Sequence, residues 1–393
     1  MSSTSGPGRS IGASQTIQGG TGTMKRVLFA GLSALMIGQA AEARDLRAAP
    51  ATPPSSAVIS AMYNKLAEYL PEESDGALNL QILGMEIVDY KSVLSALQSG
   101  LADVANVLPA FFSSDVPNTA MTVQLALMNP DPFVMSSALT EYAVTCEECQ
   151  AEFKRAGMVY TGSASTDPVI LLTRKPINSI EDVKGLRLRV PAGSYGRWLK
   201  ELGGIPVDMT PPDQFEAMSQ GVIDGTVVSP IEITTYNLSE VAKFLIELPV
   251  GLYFTTATAA ISTRTWGSLS MDERAAYMRA TTRSLGDLNA AWGYDMPAGA
   301  REKAVSNGVQ LMQPPAALVE KTDDFRKREF DMMAETVTST YGITDAEAKL
   351  KRFGELVEKW TEIGKDTDRT AEAMAARVTA EVWDKVDLAT YGQ

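Results

Sequence analysis

Few residues in this 393-residue chain have side chains suited to covalent or metal chemistry. There is no histidine, the commonest general base and metal ligand, and there are two cysteines, Cys146 and Cys149. Their C-E-E-C spacing fits a disulfide, a free thiol pair or a thioredoxin-like redox site. A redox pair normally follows a strand and opens a helix, whereas this pair lies inside a helical pattern that ends at Gly157. We therefore expect a structural role, with no catalytic residue, no metal site and no cofactor.

Length and composition limit the class of protein. The chain is long enough for two domains, and 45% hydrophobic with 21% charged residues is ordinary for a globular protein. The formal net charge is −13. Because nucleic-acid binding needs a basic surface, this acidity argues against a nucleic-acid partner.

One helix–glycine–strand element occurs twice, at 95–109 (SALQSGLADVANVLP) and at 216–230 (EAMSQGVIDGTVVSP). In each copy a helix ends at a glycine, which takes a left-handed turn at low cost, and an apolar strand follows that ends at a proline. Strand ends of open α/β sheets bind ligands, so two such elements in two lobes would form opposite walls of one cleft. The alternative is a chance match of a common element. The identical positions are Ala96/Ala217, Gly100/Gly221, Asp103/Asp224, Val107/Val228 and Pro109/Pro230.

Strand and helix patterns alternate along the first part of the chain. Amphipathic helices are predicted at 57–70 and 89–99, each followed by an apolar strand. This alternation predicts an α/β fold with mostly parallel strands. From about residue 264 onward the pattern predicts a nearly all-helical segment.

The N-terminus has the layout of a secretory signal peptide. Lys25 and Arg26 precede the apolar stretch 27–38, and a small-residue cleavage site (A-E-A) follows. The apolar stretch is too short to span a bilayer; a buried helix is the alternative interpretation. We predict a signal peptide at 24–43, preceded at 1–23 by a disordered leader or a mis-assigned start, and an exported, soluble mature protein.

Residues 179–225 (SIEDVKGLRLRVP to FEAMSQGVIDG) resemble the core signature of TRAP-transporter substrate-binding proteins of the DctP type. Weaker similarity at 97–105 and 261–277 extends the resemblance over about 45–390. The matching positions include Asp182, Lys184, Gly185, Arg189, Val190, Pro191, Gly203, Pro206, Val207, Met209, Phe215, Ala217, Gly221, Asp224 and Gly225.

The resemblance implies a two-lobe periplasmic-binding-protein-like α/β fold, with a ligand cleft between the lobes, hinge strands and long C-terminal helices. On this basis we expect lobe 1 at about 44–165 with a returning segment at about 255–300. Lobe 2 is expected at about 166–254, and C-terminal helices at about 300–393. The implied partners are a small organic-acid ligand and TRAP-type integral membrane permease subunits. We expect a monomer that does not itself span the membrane.

In this family the arginine of the R-V-P triplet binds the ligand's carboxylate, and this role falls on Arg189. A guanidinium offers parallel N–H donors that match a carboxylate, and it stays charged at any working pH. A surface arginine on an exposed strand is the alternative. Arg187, two residues earlier, faces the same side of the strand and is interpreted as structural or solvent-facing.

Five further positions bear on the ligand. Pro168 stands where many family members carry a second arginine, so one fewer cation is available for a second carboxylate. Ser229 is the polar residue nearest to the place of a ligand-contacting asparagine. Tyr253 could stack on a ligand or hydrogen-bond to it, and Gln124 matches a position that is often acidic. Trp198 is either a ligand contact or part of the core.

The sequence therefore predicts a periplasmic solute-binding protein that captures a small carboxylate and delivers it to a TRAP-type permease. A secreted, histidine-free hydrolase or lyase on an α/β fold is the alternative. The absence of a G-x-S-x-G nucleophile motif weighs against it. A third interpretation is a lobe that senses a ligand and docks on a receptor. A fused regulatory domain would support it, and the sequence shows none.

Overall fold

The computed structural model describes residues 43–191 and 193–393. The predicted leader (1–23) and all but the last residue of the predicted signal peptide (24–43) lie outside the described residues. The strands are β1 (Arg44–Ala49), β2 (Leu78–Ile82), β3 (Val104–Val107), β4 (Met158–Val159), β5 (Ala164–Ser165), β6 (Ile170–Thr173), β7 (Arg187–Arg189), β8 (Ile205–Val207), β9 (Gly225–Val228), β10 (Phe244–Ile246), β11 (Phe254–Thr255), β12 (Ala257–Ser262) and β13 (Gln310–Met312).

The α-helices are α1 (Asn64–Glu73), α2 (Val93–Ser99), α3 (Pro117–Ala120), α4 (Pro132–Thr145), α5 (Glu147–Arg155), α6 (Gly193–Glu201), α7 (Gln214–Ser219), α8 (Glu232–Thr235), α9 (Thr263–Ser268), α10 (Met271–Ala290), α11 (Met296–Ser306), α12 (Ala316–Tyr341), α13 (Ala346–Lys365) and α14 (Ala371–Glu381). Within the described ranges, no helix combines the length and the apolar character needed to cross a membrane.

Two sheets define two lobes, which confirms the predicted α/β class. The first lobe is built on the sheet β2-β1-β3-β12-β4, and the second on the sheet β13-β10-β6-β9-β7-β8. Both sheets are mixed rather than mostly parallel. The reason is that one strand in each sheet runs antiparallel to both of its neighbours. These strands are β6, where the chain enters the second lobe, and β12, where it returns to the first. Strand β13, in the segment expected to be helical, completes the second sheet by pairing with β10.

In the described part of the chain, four connections link the lobes, the last of them α12, which leads from β13 back to α13 beside α4 of the first lobe. The chain crosses through β5 and returns through β11, and these two short strands pair antiparallel with each other. The third connection runs from α10 through a π-helical segment, Ala291–Asp295, into α11 and then β13. Segments that cross between lobes are where a change in their relative orientation is absorbed.

The repeated sequence element has a repeated structure. In the first lobe Arg47 of β1 donates from Nε to Oδ2 of Asp103 (2.9 Å) and from Nη2 to the carbonyl oxygen of Gly100 (2.8 Å). Gly100 ends α2 in the left-handed region, at φ 79°. This Arg–Asp clamp therefore ties the end of α2 and the start of β3 to the neighbouring parallel strand.

The second lobe contains the same Arg–Asp clamp. Arg187 of β7 donates from Nε to Oδ2 of Asp224 (3.0 Å) and from Nη2 to the carbonyl oxygen of Gly221 (2.8 Å). Gly221 is also left-handed, at φ 73°. The identities between the two sequence elements thus reflect a shared structural requirement, and Arg187 has the structural role.

Helix α12 lies against both lobes. Near its start, Thr322 accepts a hydrogen bond from Nε1 of Trp198 on α6, at 3.1 Å. At its end, the hydroxyl of Tyr341 accepts one from Nε2 of Gln124, at 2.7 Å. Gln124 belongs to the 3-10 segment Met121–Leu125 of the first lobe, so one helix braces the two lobes.

Cys146 and Cys149 are joined by a disulfide. The sequence pattern predicted one continuous helix through this pair, and that prediction is wrong. Cys146 has extended dihedral angles, ends α4, and caps α5 by accepting the backbone N–H of Cys149 on its sulfur. The chain changes direction at Cys146, and the disulfide closes this corner.

Candidate functional site

A cavity lies between the two lobes, at the ends of the parallel strands of each sheet, and the space inside it that a water-sized sphere can reach is about 30 Å³. We call it the interlobe cavity. The first lobe contributes Thr52, Ser56, Val58, Tyr90, Asn106 and Leu108; the second contributes Pro211, Glu232, Thr235 and Tyr236; and the crossing segments contribute Tyr253, Thr255 and Trp292.

Arg189 is a buried cation beside this cavity. It is the last residue of β7 and is 3% exposed. Its Nε donates to the carbonyl oxygen of Met209 at 3.4 Å, and Nη1 lies 4.0 Å from Oε2 of Glu232. Among the described residues, neither Nη1 nor Nη2 has a hydrogen-bond acceptor within reach. The guanidinium therefore retains its forked pair of donors, which is the geometry that a carboxylate accepts.

Glu232 is the charged residue of the cavity wall. It opens α8, immediately after the Ser-Pro-Ile turn that ends β9, and its side chain is 13% exposed. Burial raises the pKa of its carboxyl above the ordinary value, and the positive charge of Arg189 opposes this rise. Glu232 is thus a partial counter-ion of Arg189, close enough to feel its charge but too far for a hydrogen bond.

Aromatic side chains form much of the remaining wall. The rings of Tyr253 and Trp292 meet edge to face, with centroids 6.3 Å apart and an interplanar angle of 77°. The hydroxyl groups of Tyr90 and Tyr236 lie 3.3 Å apart, one from each lobe. Trp292 sits in the π-helical segment between α10 and α11, a local distortion often found at functional sites. No lysine or arginine is among the described residues that line the cavity.

Asn106 supplies a polar group on the opposite wall. It lies in β3 and is 2% exposed. Its Nδ2 donates to the carbonyl oxygen of Pro50 at 3.2 Å, while Oδ1 is buried without a hydrogen-bond partner in the described part of the chain.

The residues singled out from the sequence fall into two groups. Arg189 and Tyr253 lie at the interlobe cavity. Ser229 does not line it. Its hydroxyl donates instead to Oδ1 of Asp167, at 3.1 Å. Pro168 lies in the crossing segment next to Asp167 and is likewise absent from the wall. Pro168 therefore affects the binding of a second ligand carboxylate only because its side chain carries no positive charge.

Gln124 and Trp198 connect elements rather than facing the cavity. Gln124 accepts a hydrogen bond from Nη2 of Arg197 at 2.9 Å and donates to Tyr341, and Nε of Arg197 donates to Glu329 of α12 at 2.8 Å. We call these four residues the interlobe junction. Trp198 is fully buried between α6 and α12 and belongs to the core.

Sequence reasoning missed Glu232 and Asn106. Both belong to or adjoin the repeated element: Asn106 lies inside its first copy, and Glu232 stands two residues after its second. Since the ends of parallel strands converge on ligands, polar residues at the ends of both copies were the available signal. Among the described residues there is also no cluster of acidic or sulfur ligands suited to a metal ion.

The sequence matches the family of bacterial extracellular solute-binding proteins, family 7 (DctP), over residues 48–334. That is most of the chain. The chain belongs to the DctP family. The resemblance found in the sequence is thereby confirmed. Proteins of this family bind and transport solutes, so the DctP-family protein described here is a binding protein, and the hydrolase or lyase alternative is not supported.

Individual relatives of this DctP-family protein agree with the assignment. A solute-binding protein of Albidiferax ferrireducens is 22% identical over 291 residues, which cover 72% of this chain and 80% of the relative. Among solved structures, a TRAP solute-binding protein from Rhodoferax ferrireducens, with copurified benzoate, superposes with a TM-score of 0.71 at 21% identity, covering 82% and 99% of the two chains. One from Bordetella bronchiseptica, with bound mandelate, gives 0.69 at 23% identity, covering 80% and 99%. These likenesses establish the shared fold.

Proposed function

We propose that this DctP-family protein captures a small monocarboxylate with a compact aromatic or apolar tail and delivers it to the membrane subunits of a TRAP-type permease. The observation that carries the proposal is Arg189, a buried guanidinium with both Nη atoms unengaged by the described residues, next to a cavity between two lobes. A buried charge without a hydrogen-bonded partner is costly, and a ligand carboxylate would satisfy it.

The cavity supports a ligand with one carboxylate rather than two. Its described lining has no lysine or arginine, and Glu232 contributes a carboxyl group of its own. A second ligand carboxylate would therefore be buried without a partner cation and near a like charge, which is unfavourable.

The aromatic walls support a ring or apolar tail. The edge-to-face pair of Tyr253 and Trp292 offers apolar surface and ring edges to a planar group. The benzoate and mandelate found in the two similar structures are compact monocarboxylates.

Isothermal titration of the mature protein tests this proposal. We expect benzoate, phenylacetate or mandelate to bind at least about tenfold more tightly than succinate, a difference of about 1.4 kcal/mol. A thermal-shift screen of organic acids comes first, since ligand at 100 times its Kd stabilises the fold by about 2.7 kcal/mol. Succinate binding as tight as that of every monocarboxylate would contradict the assignment.

We also propose export to the periplasm, since the family is extracellular and the sequence predicts a signal peptide. N-terminal sequencing of the protein recovered from the periplasm should find a start near Arg44. Recovery of a mature chain that begins upstream of Met24 would contradict the signal peptide.

A further inference from the structure

Asn106 differs from every other described residue of the cavity wall. It is the one that carries a buried polar atom without a hydrogen-bond partner. Three other hydroxyl groups of the wall are engaged: Thr235 donates to the carbonyl oxygen of Ile231 at 3.1 Å, and Tyr90 pairs with Tyr236. An unsatisfied buried acceptor costs free energy of folding, so its presence in a binding cavity calls for an explanation.

The orientation of the Asn106 amide is fixed by its neighbour. The carbonyl oxygen of Pro50 accepts from Nδ2, and a carbonyl can only accept. The amide nitrogen must therefore face Pro50, and Oδ1 must face away from it. Exchanging the two atoms would place two acceptors against each other. Asn106 thus brings an unpaired acceptor to the wall of the cavity, while its amide nitrogen is held towards Pro50.

We infer that the ligand carries an O–H or N–H donor which hydrogen-bonds to Oδ1 of Asn106 while its carboxylate binds Arg189. This inference rests on the proposed carboxylate function and narrows it to hydroxylated or N–H-bearing acids. The two groups lie on opposite lobes, Asn106 at the end of β3 and Arg189 at the end of β7. A ligand that satisfies both holds the lobes together.

Glu232 strengthens the argument for a donor. Its carboxyl group is a second acceptor at the same cavity, so a ligand that offers only acceptors besides its own carboxylate would leave Oδ1 of Asn106 unpaired. A site built to accept a hydrogen bond discriminates strongly against the analogue that lacks the donor.

Matched ligand pairs test the inference. Mandelate differs from phenylacetate by one hydroxyl group, and 3-hydroxybenzoate differs from benzoate in the same way. Titration of the full mature protein should show at least one hydroxylated member binding about 10- to 100-fold more tightly than its partner. Asn106→Leu, which keeps the side-chain size but has no acceptor, should abolish this ratio. Gln220→Leu, at an exposed glutamine on the second lobe outside the cavity, should retain it.

The ratio of two affinities in one variant does not depend on how much of that variant is folded, so a destabilised Asn106→Leu protein remains informative. Equal affinities within both pairs for the wild-type protein would overturn the inference and leave the carboxylate function standing. A preference that persists in Asn106→Leu would overturn the role of Asn106. If a screen instead finds a different carboxylate ligand that depends on Arg189 and has no O–H or N–H donor, the inference also fails.

Discussion

Nη1 of Arg189 lies 4.0 Å from Oε2 of Glu232, a separation at which the two charges interact but form no hydrogen bond. Both side chains are largely removed from water, so neither is screened well. The arginine is therefore neutralised in part while its donors stay available. An anion that enters the interlobe cavity can therefore be attracted by Arg189 and repelled by Glu232.

Replacement of Arg189 should remove the anchor for the ligand. We expect Arg189→Ala to weaken monocarboxylate binding by about 2–5 kcal/mol, the scale for truncating one partner of a buried charge pair. Arg189→Lys should also bind poorly, because a single ammonium cannot reproduce the two parallel N–H donors. Isothermal titration measures both. Arg328→Ala, at an exposed arginine paired with Glu201, is the control and should bind normally; undiminished binding by Arg189→Ala would exclude the anchor.

Glu232 should set the pH dependence of binding. Burial raises the pKa of its carboxyl, so the protonated form is populated at higher pH than for a free glutamate. A bound carboxylate at Arg189 favours this neutral form, and affinity should therefore fall as pH rises through that pKa. Glu232→Gln should bind monocarboxylates about three- to tenfold more tightly at pH 8, with a flatter pH profile. An unchanged profile in titrations from pH 5 to 8 would contradict this.

The interlobe junction should tune affinity without contacting the ligand. Gln124→Leu removes the hydrogen bonds to Arg197 and Tyr341 and should lower the population of the lobe arrangement described here, which we take as the binding-competent one. Because apparent affinity scales with the binding-competent fraction, every ligand should weaken by the same factor, about three- to tenfold. Titration of two different ligands checks this. Gln220→Leu, at an exposed glutamine on the second lobe, should have no effect; a ligand-selective loss would point to direct contact by Gln124.

Asp167 should make stability depend on pH. Burial raises its pKa to about 7, against the opposing effects of Arg301 and Ser229. A carboxyl whose pKa is higher in the folded state stabilises the fold fully below the unfolded pKa, and this contribution is lost as pH rises through the folded value. Unfolding free energy should thus fall between pH 4 and pH 7, by up to about 1.4 kcal/mol per pH unit.

Denaturant melts across this pH range measure the slope for Asp167. Asp167→Asn should reduce it, and Arg301 keeps its second partner, Glu247, at 3.0 Å. Glu232 also has a raised pKa and leaves a residual slope of the same sign. Asp323→Asn, on a half-exposed helical position, should retain the wild-type slope. An identical slope in Asp167→Asn would show that this carboxyl does not titrate in the range.

The disulfide should matter for stability and not for binding. Joining Cys146 to Cys149 closes a short loop, for which the chain-entropy treatment gives about 2 kcal/mol. The double replacement by serine should therefore lower the melting temperature by a few degrees and leave ligand affinity within about twofold. Calorimetry and titration of the same sample separate the two effects. Lost binding in a folded Cys149→Ser protein would contradict the structural role.

More of the fold than of the candidate binding site could be predicted from the sequence. Gly100 and Gly221 could be interpreted alone, because the left-handed turn each makes is a local property of glycine. The aspartates three residues later gained their meaning only with Arg47 and Arg187, which lie on other strands. Patterns within ten residues predicted elements, and a partner contributed by a distant strand was visible only in the folded chain.

The resemblance pointed to Arg189, which lies beside the cavity, but it could not identify the residues that contact Arg189. Ser229 and Gln124 were candidate ligand contacts on the basis of the resemblance, yet their polar atoms are taken by Asp167 and by the interlobe junction. Glu232, which looks like an ordinary helix-opening acid, became notable only through its burial next to Arg189. The charge and spacing of residues can be obtained from the sequence, whereas the burial of a side chain depends on which other residues pack against it in the folded chain.

The two Arg–Asp clamps give the lobes a common frame with unequal charge. Two residues after Arg187 in β7 comes Arg189, opposite Thr226; two residues after Arg47 in β1 comes Ala49, opposite Ala105. Equivalent positions of the two clamps thus hold a cation in the second lobe and a methyl group in the first. Under the proposed function, an acid bound at Arg189 would therefore have its carboxylate at the second lobe and its tail towards the first.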